Sequence, residues 1–248
     1  MTDPVPYAAD LAYVHDRGFG DFARRAVPGL LSLLSAQGID SGQVVDLGCG
    51  SGLWARALAD AGYQVTGVDV SEAMLELARS RVPEAEFLRG SFVDCGLPKC
   101  RAVTALGEVF NYLFDGRLCD ERAGAASLER ALGRIYEHLP KGGLLVFDVA
   151  GPGRCQGRTQ AFMEGDDWTC LVEYQHDEPR QLLTRRIVTF RRLGDVWRRH
   201  LETHRQQLHD PTTVSTTLRR LGFDVQTVNR FGQLELPAAV TGFVAKKE

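Results

Sequence analysis

The 248-residue chain lacks any apolar run approaching the ~18 residues that a helical membrane span requires. Its first residues, MTDPVPYAAD, have no basic stretch leading into an apolar core, so no secretory signal is expected there. Net charge is only -3, too little of either sign for a global attraction to nucleic acid or to an anionic membrane. None of the six cysteines, Cys49, Cys95, Cys100, Cys119, Cys155 and Cys170, forms a C-x-x-C pair. They read as free thiols of a cytoplasmic chain, with a zinc site or a disulfide framework as the lesser alternative, and no metal ligands are assigned. Internal repeats and low-complexity tracts are absent too. What remains is the composition of an ordinary globular protein, long enough to bury most of its apolar surface without staples.

Periodicity divides the chain. In residues 1–40, Phe22, Ala26, Leu30, Leu31 and Leu34 recur at helical spacing, and Gly38 ends that segment, predicting an N-terminal helical cap. From residue 43 short apolar runs (Val44–Leu47, Gln64–Val70, Phe87–Leu88, Ala102–Leu106 and Leu144–Val149) read as strands. Helices are predicted over Leu53–Ala61, from the Ser71 cap through Arg81, and over Leu128–Leu139. Strand-helix alternation implies a mostly parallel sheet covered on both faces. The rhythm breaks after Pro152. Trp168–Tyr174, Leu182–Arg192 and Val196–Leu208, separated by turn-like pieces, predict an insertion of three antiparallel strands within residues 153–208. Asp210 and Pro211 then start a last helix, and Phe223–Val228 and Gly242–Ala245 return to the main sheet. Residues 41–152 and 209–248 therefore form the core.

Between the first strand and the first core helix lies Asp46-x-Gly48-x-Gly50-x-Gly52. Glycines let a backbone turn sharply and approach a ligand, and the carboxyl end of a strand is where open α/β sheets bind ligands. Asp69 ends the second strand, where a carboxylate can accept two hydrogen bonds from a ribose diol. A nicotinamide-binding loop shares both features but requires G-x-G-x-x-G. Here the last glycine comes one residue early, at Gly52, and Asp46 precedes the loop, which suits a ligand carrying an ammonium group better than one carrying a pyrophosphate.

With Gly90-Ser91-Phe92, Ala105-Leu106-Gly107-Glu108 and Pro140-Lys141-Gly142-Gly143 added, residues 43–149 resemble the class I S-adenosylmethionine-dependent methyltransferases. The resemblance implies a Rossmann-like α/β fold with a seven-stranded, mostly parallel sheet, and S-adenosylhomocysteine as the product of the donor. It implies methionine-end contacts from Asp46, Gly48, Cys49 and Gly50, ribose binding by Asp69, adenine packing by Val70 and Met74, and an adenine edge at Ser91 and Phe92. The Leu106 carbonyl would receive the ammonium, and Tyr13 and His15 would close over the donor, the alternative being a surface helix with incidental polar residues.

Segment 105–113 resembles small-molecule enzymes such as the glycine, sarcosine and amino-sugar N-methyltransferases, whose insertions cover the acceptor, pair subunits, or do both. Methyl transfer from a sulfonium is an in-line displacement that needs alignment above all, and a base only for a protonated acceptor. Glu108, Tyr112, Asp148 and His204 are the candidate acceptor-side residues. A carboxylate at Glu108 would suit an amine or hydroxyl acceptor on N or O, and the alternative is a cap on the following helix. Tyr112 reads as core or wall more readily than as catalyst, and Asp148 has the alternative of orienting the loop after the fifth strand. His200, Glu202 and His204 alternate on one strand, so they share a face, either a polar outer face or one holding a general base.

Arg180, Arg185, Arg186, Arg191, Arg192, Arg198, Arg199 and Arg205 crowd the insertion. Adjacent pairs on a strand point to opposite faces, which argues against one nucleic-acid stripe. Salt-bridged surfaces or a homodimer seam are expected, with an anionic acceptor as the alternative. No N-P-P-Y type signature follows the fourth strand, which disfavours the rival reading as a tRNA or protein methyltransferase. A non-catalytic donor-binding module is the remaining rival.

Overall fold

The computed structural model describes residues 6–113 and 121–248, and the side chains of residues 121–124 are outside that description. The reading of Cys119 as a thiol lies outside the described residues. Two helices open the chain, α1 (Ala9–Gly18) and α2 (Gly20–Ala36). The core follows as β1 (Gly42–Leu47), α3 (Leu53–Asp60), β2 (Tyr63–Asp69), α4 (Glu72–Arg81), β3 (Glu86–Arg89), β4 (Ala102–Ala105), a short 3-10 helix at Val109–Asn111, α5 (Glu121–His138) and β5 (Leu144–Ala150). Next come β6 (Gln160–Gly165), β7 (Trp168–Asp177), β8 (Leu182–Leu193) and β9 (Val196–Gln207), which form the insertion. The chain ends with α6 (Pro211–Leu221), β10 (Phe223–Val228), a small hairpin of β11 (Arg230–Phe231) and β12 (Leu234–Glu235), and β13 (Val240–Lys247).

The main sheet has seven strands in the order β10-β13-β5-β4-β1-β2-β3. β1, β2, β3, β4 and β5 are parallel, and β13 runs antiparallel to both β5 and β10. Both faces are covered, so β4 and β5 are buried at every residue. Successive residues serve opposite cores. Val44, Leu144 and Val146 pack with Leu30, Leu58 and Leu75, whereas Val45, Leu145 and Phe147 pack with Leu132, Ile135 and Leu218. The capping signals act as the sequence implies. Ser71 Oγ accepts from Met74 N at 3.1 Å, and Asp210 Oδ2 accepts from Thr213 N at 2.8 Å.

The insertion is a separate antiparallel sheet, in the order β6-β7-β8-β9. Three strands were expected, and the sheet has four. β6, with the sequence QAFMEG, mixes Ala161 and Met163 on one face with Phe162 on the other, so it carries no alternation to read and owes its extended form to pairing with β7. α1 lies on the inner face of this sheet, where Leu11 and Val14 pack with Trp168, Cys170, Val172 and Ile187.

The insertion is joined to the core through the segment after β4. Asn111, fully buried, donates from Nδ2 to Ala150 O (2.8 Å) and Gln207 O (2.6 Å), and accepts from Ala150 N through Oδ1 at 2.9 Å. Tyr112 then forms an isolated antiparallel bridge with Gln206, and Leu113 N donates to Arg205 O. Asn111→Ala would remove three hydrogen bonds to buried backbone groups, although Ala150 O would keep His209 N as a donor. It should lower the unfolding free energy by about 3 kcal/mol, read as an earlier urea midpoint.

Candidate active site

The carboxyl ends of β1, β2, β4 and β5 open into a cavity of about 490 Å³, roofed by α1 and walled by the inner face of the insertion. One end is the glycine loop. Gly48 and Gly50 have left-handed backbones, with φ of +64° and +52°. A Cβ on Gly48 would come within 2.5 Å of the Val109 side chain, whereas one on Gly50 would meet only open space, so the Gly50 backbone is accessible to a ligand.

Asp69 is held in place by the loop itself. Oδ2 accepts from Gly50 N and Oδ1 from Ser71 N, each at 2.9 Å, and each oxygen keeps capacity for a further donor. Asp46 is buried at the root of the loop, where Oδ1 accepts from Thr104 Oγ1 at 2.8 Å and Thr104 accepts from Trp54 Nε1 at 3.1 Å. Burial pushes the Asp46 carboxyl up to about 7 and raises that of Asp69 as well. Asp148, on β5, accepts from Gly107 N at 2.8 Å and Glu108 N at 2.5 Å, and burial also raises it to about 7. These three carboxylates line the cavity, and none forms an ion pair among the described residues. A carboxylate taken out of water without a cation is costly, so this donor set fits a ligand that brings positive charge together with hydroxyl groups. His15, also on the wall, is kept neutral because burial lowers its pKa to about 4.

The other residues expected at the donor end, Cys49, Val70, Met74, Ser91, Phe92 and Leu106, line the same cavity, as do Glu108 and Tyr112. Tyr13 does not. It lies two residues from His15 on α1, hence on a different face, and its hydroxyl donates to Asp167 at 2.6 Å while Arg191 stacks on its ring. Tyr7 takes the place expected of Tyr13. Its backbone N donates to Glu202 Oε2 (2.7 Å), and its hydroxyl bonds that of Tyr112 at 2.8 Å. His204 does not line the cavity either. Residues His200, Glu202 and His204 do share the inner face, and His204 Nε2 donates to Glu202 Oε2 at 2.9 Å, but the imidazole sits behind the rings of Tyr7 and Tyr112. Glu202 and His204 are buried, so this is no outer face.

Glu108 has a left-handed backbone, φ +64°, and makes no capping hydrogen bond to the 3-10 helix that follows it. Its carboxylate is bound instead by Arg154 Nε (2.7 Å), Arg185 Nη2 (2.8 Å) and Gln206 Nε2 (3.1 Å). Burial opposes its ionisation, but the two guanidiniums more than offset that and hold the carboxyl below its ordinary range. Arg154 and Arg185 also line the cavity; the sequence offers Arg185 only as one of eight arginines crowding the insertion, and does not single out Arg154. The legible signal was register. On β8, Leu183, Arg185, Ile187 and Thr189 share the inward face, so Arg185 is a charge at an apolar position of an alternating strand.

Comparison with known proteins supplies the family. The family described as "Methyltransferase domain" matches residues 44–143. A chain of Geobacillus sp. (strain WCH70) assigned to the methyltransferases is 30% identical over 83% of this chain and 84% of its own length. A dTDP-3-amino-3,6-dideoxy-alpha-D-glucopyranose N,N-dimethyltransferase of Streptomyces fradiae is 30% identical over 57% of this chain and 54% of its own. Among solved structures, an S-adenosylmethionine-dependent methyltransferase from Clostridium acetobutylicum shares the fold with a TM-score of 0.80 at 16% identity, covering 95% of this chain and 97% of that one. A sugar N-methyltransferase from Streptoalloteichus sp. superposes with a TM-score of 0.79 at 19% identity over 97% and 94%. The chain belongs to the methyltransferases, and the first of these structural neighbours is one that uses S-adenosylmethionine as donor. The cavity fits that donor, because Asp46 and Asp148 present carboxylates for a cationic ligand and Asp69 faces the cavity with room for a diol.

Asp69→Ala removes the carboxylate expected to receive the ribose diol, together with its hydrogen bonds to Gly50 N and Ser71 N, and should weaken S-adenosylhomocysteine binding about 100-fold by isothermal titration. The same titration has a defined pH dependence. In the free protein the carboxyls of Asp46 and Asp148 hold protons below about 7, while an ammonium-bearing ligand favours their ionised forms. Affinity should therefore rise from about pH 6 to about pH 8 and level off above, and Asp46→Asn should flatten part of that rise.

Proposed function

We propose that the chain transfers a methyl group from S-adenosylmethionine to nitrogen or oxygen of a small molecule held between the glycine loop and the insertion. The carrying observation is that one cavity runs from the Gly48–Gly50 loop and its unpaired carboxylates to the inner face of β7 and β8. When bound, the donor supplies an electrophilic methyl on a sulfonium. The chain's own residues position and enclose. α1 and Tyr7 cover the cavity, Leu106 to Tyr112 form the boundary between its two ends, and the insertion supplies apolar walls. Asp148 fixes the turn at Gly107 and Glu108 through its two backbone hydrogen bonds. Alignment in an enclosed site is what a displacement with a good leaving group most needs. Tyr7 and Tyr112, raised by burial, stay protonated and act as neutral hydrogen-bonding walls. The paired Glu108 is a positioning group on this reading, and the Glu202–His204 pair braces Tyr7 from behind. Incubation with methyl-labelled donor should place label in the small-molecule fraction of a cell extract. Label confined to RNA or protein would support the rival reading, and its absence from every fraction would overturn transfer.

The insertion also supports a homodimer of a cytoplasmic enzyme. Phe162, Leu171, Val188 and Leu201 form one row across the outer face of all four strands, and Phe162, Leu171 and Leu201 are exposed. The adjacent row holds Glu164 on β6 and Arg199 on β9, and the row on the other side pairs Glu173 on β7 with Arg186 on β8. A two-fold axis parallel to the strands sets β6 over β9 and β7 over β8, so apolar residues meet apolar ones and each glutamate meets an arginine. Sedimentation equilibrium should give a dimer at micromolar concentration, and Leu171→Glu with Leu201→Glu a monomer. A wild-type monomer would overturn the pairing.

A further inference from the structure

The far end of the cavity is walled by Met163, Val172 and Ile187, and its charged strip is formed by Arg154, Glu108 and Arg185, flanked by the neutral rings of Tyr7, Tyr112 and Tyr174. Two guanidiniums face one carboxylate there, leaving one net positive charge. Glu108 already accepts three donors and its charge is met by two guanidiniums, so only one position on Oε1 is left and its pull on an amine is weakened. Arg185 adds an uncompensated donor, since its Nε is buried with no hydrogen-bond partner among the described residues. Arg154 differs from it. Only its Nε is engaged by Glu108, and its Nη1 and Nη2 are neither hydrogen-bonded among the described residues nor buried without a partner. The side chain stays partly exposed, and the cavity is where it is lined. A guanidinium with two outer nitrogens available in a walled pocket is suited to a planar or tetrahedral oxyanion.

We propose that the methyl acceptor is an anion, a small molecule with an apolar body and a carboxylate or phosphate group, and that the outer nitrogens of Arg154 bind that group. The inference rests on the methyltransferase reading above. It sets aside the expectation that Glu108 suits an amine or hydroxyl acceptor and takes up the anionic alternative offered by the arginines. The carboxylate's part is to hold Arg154 and Arg185 in place, and selection passes to the arginine that still has nitrogens to offer. The apolar body would lie on Met163, Val172 and Ile187, between Arg154 and the donor end.

The test uses the whole chain saturated with S-adenosylhomocysteine and four probes that share one ring: phenylacetate, phenyl phosphate, benzyl alcohol and benzylamine. By isothermal titration at least one anion should bind about tenfold or more tighter than the alcohol, and the amine weakest of all. The ranking of the two anions distinguishes a carboxylate acceptor from a phosphorylated one. Arg154→Gln should remove the preference while S-adenosylhomocysteine still binds as in the wild type, which shows the variant folded. Arg154→Lys should keep a preference for anions at reduced affinity. Equal binding of all four probes, binding of none at millimolar concentration, or a preference that survives Arg154→Gln would overturn the inference. Failure of the wild-type chain to bind S-adenosylhomocysteine would overturn the donor reading and this inference with it.

Discussion

The wall of the cavity between the glycine loop and the insertion depends on one carboxylate beneath one turn. Asp148 receives the successive N–H groups of Gly107 and Glu108, both in left-handed conformations, and a non-glycine residue in that region is unfavourable unless its surroundings impose it. With the turn fixed, Leu106 faces the cavity and the Glu108 side chain points toward the insertion, where Arg154, Arg185 and Gln206 hold it. Asn111 follows and ties β5 to β9. Without the Asp148 contact, the donor half and the insertion would lose the joint that sets their relative position.

The arginine-carboxylate strip has a second consequence for energetics. A carboxylate between two guanidiniums is held from both sides, and removing either leaves a neutral pair with fewer hydrogen bonds to fix it. The strip is therefore a rigid element in a pocket otherwise built of adaptable side chains such as Met163. Rigid charge with an apolar surround favours discrimination among acceptors over accommodation of many.

Much of the fold was legible because its signals are local. Ser71 and Asp210 are caps, Val44–Leu47 and Leu144–Val149 are apolar runs, and glycines mark the loop, so strands, helices and the loop between β1 and α3 could be assigned in order. Elements stabilised by their neighbours were not. β6 has no period of its own, and β11 and β12 are two residues each, held by pairing to one another. The site divides in the same way. Asp46, Gly50 and Asp69 belong to one continuous motif, but Tyr7, Arg154 and Arg185 reach the cavity from separate segments, and no spacing connects them. Tyr13 and His204 carry suitable chemistry, and only the third dimension turns the first toward Asp167 and sets the second behind two tyrosine rings.

The lining of the cavity begins at Tyr7 and ends at Val240, with contributions from nearly every segment between. No contiguous part of the chain contains the pocket. During synthesis the glycine loop emerges early, but its roof must be brought onto a sheet completed by β13, so ligand affinity arrives only when the whole chain has closed. A ligand bound there consequently stabilises the two ends of the polypeptide as one cooperative unit and acts as a reporter of complete folding.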